Sequence, residues 1–186
     1  MMSTSGVRVG RQSAIRIFAQ EYSESSLVER GVGEFAPSFV ITKLGARVNR
    51  CLVCGGLERM ERRDGDSGPY YAGQLRDPSG THYFNVAPFQ PELHPDAEEL
   101  LARFETGDSI LVSMIGRQQT RESEDGGIFT SIRAESFTEI DLETYKSWMV
   151  EAADATLRRL SAYDSSQGAE LTEEGLRDAG VPNDLV

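Results

Sequence analysis

A long apolar stretch broken in its middle by Gly55-Gly56 most narrows what this chain can fold into. Residues 46–63 carry Val48, Cys51, Val53, Leu57 and Met60, a run longer than an ordinary strand. A strand of that length has to curve, and paired glycines inside it mark a bulge or sharp bend. Segments 70–76 and 81–89 flank the turn Asp77-Pro78-Ser79-Gly80 and read as a hairpin. Residues 91–104 follow as a helix with Leu100, Leu101 and Phe104 on one side. Segments 109–120 and 128–140 form a last hairpin across "ESEDGG", and a further short strand is predicted at 39–42. Strand, strand, strand, helix, strand, strand is not a βαβ alternation, which argues against a doubly wound nucleotide fold. It is the layout of a mainly β, five-stranded barrel of the oligonucleotide/oligosaccharide-binding (OB) type.

The barrel domain is assigned to residues 38–140. Before it, residues 13–27 read as an N-terminal helix: Ser13 can cap it, and Ile15, Phe18, Ala19 and Tyr22 fall at helical spacing. "ERGVGEFAPS" completes a helix-and-linker segment, 13–37, and residues 1–12 are expected to be disordered. After the barrel, residues 141–163 read as a C-terminal helix capped by Asp141. Leu142, Tyr145, Met149, Ala152, Leu160 and Tyr163 form its apolar stripe, with Trp148 beside it. Such a stripe either braces the barrel or docks another chain. Residues 164–186 form an acidic tail.

The formal charge of −11 argues against a nucleic-acid partner, because a phosphate backbone is best held by a basic field. The charge is uneven, however. Residues 43–63 hold six cations against two glutamates, whereas residues 161–186 hold one arginine against six acids. No apolar run approaches a membrane span and no secretory h-region is visible, so a cytoplasmic location is expected. Cys51 and Cys54 spell C-x-x-C, but a zinc site needs about four ligands, and only His82 and His94 could add to them. Both cysteines are read as core residues, and no metal or cofactor is expected. Two histidines and no nucleophile motif give no convergent catalytic set, so no enzyme is expected.

The segment "THYFNVAPF" holds the most specific surface signal. Alternation along a strand puts Tyr83, Asn85, Ala87 and Phe89 on one face, and His82, Phe84, Val86 and Pro88 on the other. The second set is compact and mostly apolar and is assigned to the core. The first joins two aromatics to an amide, a poor core but a surface on which bases can stack. The alternative is that Tyr83 and Phe89 pack under a helix or the N-terminal segment. Lys43, Arg47, Arg50, Arg117, Arg121 and Arg133 complete the candidate nucleic-acid-binding set, expected to converge near one barrel mouth.

The segments "ITKLGARVNR", "RDPSG", "FQPE", "SIRAESFTEID" and "WMVEAADATLRRL", in this order on an OB pattern, resemble the archaeal replication protein A-associated proteins. The resemblance covers residues 15–163. It implies an OB-fold accessory subunit that takes part in single-stranded DNA binding during replication, recombination and repair. The implied partner is a large replication protein A subunit, in a hetero-oligomer joined through the C-terminal helix. Leu142, Tyr145, Trp148, Met149, Leu160 and Tyr163 would be the partner-binding residues; if the helix needs that partner, Leu142, Tyr145 and Met149 are exposed in the lone chain and drive self-association. One departure is Pro88, which removes a backbone donor beside the aromatic. A rival reading is an interaction subunit that stabilises its large partner without touching DNA.

Overall fold

The computed structural model describes residues 11–33 and 36–167, so the disorder expected at the N-terminus and most of the acidic tail lie outside the described residues. The chain is built around five strands: β5 (Arg50–Gly65), β6 (Gly68–Asp77), β7 (Gly80–Val86), β8 (Leu111–Glu122) and β9 (Ile128–Glu139). They run β5-β6-β7-β9-β8, and β8 returns to pair with β5, closing a barrel. All neighbours are antiparallel except β7 and β9, which are parallel. This closure is that of an OB fold.

The diglycine sits where β5 changes partner. Arg50 to Gly56 pair with β8, and Gly56 to Gly65 pair with β6. A Cβ on Gly55 would lie 2.6 Å from the Arg76 carbonyl oxygen, so only glycine lets the two backbones approach. A bulge between Leu57 and Arg59 adds further curvature. Val53, Leu75, Val86, Val112, Met114 and Ile132 are fully or almost fully buried in the core. The helix α2 (His94–Glu105), entered through a short 3-10 turn at Pro91–Leu93, packs Ala97, Leu100 and Leu101 into that core.

The N-terminal segment departs from the expected helix over 13–27. It forms β1 (Ala14–Arg16), a five-residue α1 (Ala19–Ser23) and β2 (Leu27–Arg30). β6 reaches β5 only from Gly56 onward, which leaves the edge at Arg50–Leu52 open; β1 pairs there in parallel. Satisfying that edge outweighs the helical spacing, because so short a helix has little stability of its own. α1 closes the barrel end at the β6–β7 turn. The Asp77 carboxylate accepts hydrogen bonds from the backbone N–H groups of Ser79 (2.8 Å) and Gly80 (3.1 Å), and from that of Ala19 at 2.7 Å. The turn "DPSG" is therefore also the anchor of α1. Tyr22 fills the space behind it, its hydroxyl donating to the Ser131 carbonyl at 2.6 Å.

β2, β3 (Ser38–Ile41) and β4 (Arg47–Val48) form a separate antiparallel sheet. The last helix, α3 (Leu142–Gln167), begins as expected, with the Thr144 N–H donating to Asp141 Oδ1 at 2.7 Å. Its inner face braces the barrel. Trp148 is buried, meets the Phe18 ring edge-on at 5.4 Å and donates its indole N–H to the Leu52 carbonyl. Ala152 is fully buried, Tyr145 stacks on Trp148, and Arg159 pairs with Glu21 at 2.6 Å. Tyr145, Trp148 and Met149 are thus spent on their own barrel, which corrects their reading as partner-binding residues. Tyr163 is half-buried beside Gly45, whereas Leu142 and Leu160 stay exposed.

Candidate nucleic-acid interface

Three neighbouring strands bring arginines to the same level of the barrel wall. Arg50 pairs in register with Arg117, Arg117 with Arg133, and Arg133 with Asn85. Like charges directly opposite one another repel, so such a row is held only if anions balance it. Glu135 supplies one carboxylate. It pairs with Arg50 at 2.6 Å, with Arg11 at 3.4 Å and with Arg117 at 3.5 Å. Burial raises the Glu135 pKa, but hydrogen bonds and charge from Arg50, with help from Arg11 and Arg117, outweigh it and leave the carboxyl below its ordinary range.

The three arginines have different standing. Arg50 is buried, with its guanidinium divided between Glu135 and the Gln12 carbonyl. Its assignment as a phosphate ligand is corrected: it holds the N-terminal segment and Glu135 in place. Arg117 is half exposed. Arg133 forms no ion pair among the described residues, and its Nε is buried without a hydrogen-bond partner. Burial, then the neighbouring Arg117 charge, lowers its pKa. Its guanidinium lies 5.2 Å from the ring centroid of Phe89, which is 69% exposed.

A second aromatic group lies further along the same face. Tyr83 and Phe129 are both about two-fifths exposed, with ring centroids 5.1 Å apart. The Arg121 guanidinium sits 5.6 Å from the Phe129 centroid. Between the two groups, Asn85 Nδ2 donates to Gln119 Oε1 at 2.6 Å. The alternation along β7 places Tyr83 and Asn85 outward, with His82, Phe84 and Val86 buried. It fails at Ala87, which is buried, because β7 ends at Val86. Phe89 is exposed by the turn at Pro88 and Phe89, closed by the Gln90 N–H donating to the Ala87 carbonyl, rather than by strand alternation.

Lys43 and Arg47 do not join this face. The chain bends between Val48 and Arg50, which leaves Arg47 on β4 of the other sheet and Lys43 in the turn that joins β3 to β4. Lys43 pairs with Glu24 at 2.7 Å, while Arg47 binds Glu29 and covers the Phe39 ring at 4.3 Å. The cations therefore form a row along a wall, not a cluster at a mouth. Phe129 and Gln119 were missed by the sequence reading. Period-two alternation carried through β9 and β8 would have placed both outward, beside Arg133 and Arg117. No group of metal-ligating side chains occurs among the described residues, and no helix there is long and apolar enough to cross a membrane. Cys51 and Cys54 are buried free thiols, with burial pushing the Cys51 thiol up to about 12.

No protein-family model and no curated protein matches the chain. Solved structures do. The chain is similar to one in the S. pombe Stn1-Ten1 complex, at 11% identity over 83% of this chain and 99% of that one, with a TM-score of 0.58. It is also similar to a chain of yeast Stn1 and Ten1, at 12% identity over 71% and 62%, TM-score 0.44. A small single-stranded DNA-binding protein from Streptomyces coelicolor matches at 22% identity over 52% and 99%, TM-score 0.28. The likeness to the S. pombe chain is one of fold.

Proposed function

We propose that this chain is an OB-fold accessory subunit that binds single-stranded DNA on the β7–β9–β8 wall. The observation that carries the reading is Arg133: an arginine that forms no ion pair among the described residues, beside a second arginine and over the ring of an exposed phenylalanine. Arg117, Arg121 and Arg133 would neutralise phosphates, and Phe89, Tyr83 and Phe129 would stack bases. The finer reading is a small subunit of a replication protein A complex acting in replication, recombination and repair. Its support is the sequence resemblance over residues 15–163, together with the fold likeness to a chain from a two-protein complex. The partner surface is reassigned to the outer face of α3. There Leu142, Val150, Leu157 and Leu160 are 44–71% exposed, and from Val150 on their spacing suits a second helix.

The test is a titration of the purified chain against a labelled single-stranded oligonucleotide at two salt concentrations. Direct binding through three arginines predicts a slope of log affinity on log salt near −2, since each phosphate contact adds about −0.7 on single strands. Arg133→Ala should flatten the slope by about 0.7. Absence of salt-dependent binding refutes direct contact and favours the rival reading, a subunit that only stabilises its partner. The overall charge of −11 is the observation on that side.

A further inference from the structure

Phe129, Ser131 and Arg133 are successive outward residues of β9. Successive outward positions on a strand are about 6.6 Å apart, the scale of one extended nucleotide. An aromatic–arginine group stands at each end of this line: Phe129 with Tyr83 and Arg121, and Arg133 with Phe89. The middle position is different. Ser131 is small and faces Gln119 of β8, while Asn85 of β7 is in register with Arg133; the two amides reach across β9 between these positions and meet at 2.6 Å. A surface that only stacks bases has no use for an amide pair here, and a third ring would serve it better.

Resting on the single-strand-binding reading, we infer that the Asn85–Gln119 amide pair reads the edge of one base held between the two stacking groups. The mutual hydrogen bond fixes both amides and leaves the Asn85 Oδ1 acceptor and the Gln119 Nε2 donors with no other hydrogen bond among the described residues, on half-buried side chains. A donor and an acceptor side by side match the hydrogen-bonding edge of an unstacked base. The bases differ in the order of donor and acceptor on that edge, so a fixed pair discriminates among them. Stacking at the two ends does not.

The experiment compares affinities for oligothymidine, oligocytidine and oligoadenosine of equal length at one salt concentration. The expected spread between the best and worst is about tenfold. Asn85→Ala/Gln119→Ala should compress it to less than about twofold, whereas Tyr83→Ala should weaken all three alike. Gln119→Glu, which turns the donor into an acceptor on a half-buried position, is the second variant and should change the order of preference. A spread that survives both variants arises from stacking and overturns the inference. Equal wild-type binding to all three overturns it and leaves the proposed function standing. No binding to any of them overturns both.

Discussion

His82 makes stability depend on pH in a window where few other groups titrate. The ring is buried beside the β6–β7 turn, with Nε2 3.6 Å from Asp77 Oδ2. Neither ring nitrogen has a well-formed hydrogen bond, although the Ile17 backbone lies close. Burial is the largest influence and favours the neutral ring; Asp77 opposes it without prevailing, and the pKa falls to about 4. An unfolded histidine titrates near about 6.5. The unfolded chain therefore binds this proton first as pH drops. Stability from this group is complete above about pH 6.5, declines as pH falls toward about 4, and changes no further below that. The full effect is about 3 kcal/mol, and the part lost between about pH 7 and 5.5 is about 1 kcal/mol. Urea unfolding at those two pH values, on the chain and on His82→Gln, measures it. The wild type should lose about 1 kcal/mol more than the variant over this interval. An equal loss in both would refute the argument that a buried, neutral His82 sets the dependence. Carboxylates such as Glu135 and Glu139, held below their ordinary range, add their own losses only at lower pH.

Gly55→Ala should destabilise the chain by about 3 kcal/mol in urea unfolding, because its Cβ meets the backbone of Arg76 and no side chain can yield; a loss below about 0.5 kcal/mol would contradict the close approach. Trp148→Ala should lower stability by about 3–5 kcal/mol by emptying the seat of α3. By contrast, Val150→Lys/Leu157→Lys should leave the melting temperature of the lone chain nearly unchanged and abolish self-association or partner capture, read by light scattering. Tyr83→Ala/Phe129→Ala should reduce single-strand affinity by about 2–4 kcal/mol in a fluorescence titration, with the salt slope unchanged; unaltered affinity would place the stacking surface elsewhere.

The barrel was legible in the sequence because its signals are local. Period-two alternation, the "DPSG" turn and the paired glycines each act within a few residues, and together they point to the layout of an OB barrel. The outward direction of Tyr83 and the cap at Asp141 were readable for the same reason. The N-terminal segment was misread because its helical spacing is a local preference, while its strand is a response to a distant open edge on β5.

The site divides along the same line. The sequence by itself determined which side chains could stack on a base or hold a phosphate, since that is a matter of residue chemistry and strand parity. Only the tertiary structure decided which of them meet. Arg50 and Arg133 look alike as residues, yet one is buried against Glu135 and the other forms no ion pair among the described residues, its Nε buried without a hydrogen bond. Trp148 belongs to a helix whose inner face could have met any apolar surface, and it found Phe18. Pairings across β5, β8 and β9 join residues far apart in the chain, and no local pattern encodes which carboxylate will lie beside which arginine. That choice is made by barrel closure, when the strands settle into the one register that buries their apolar faces.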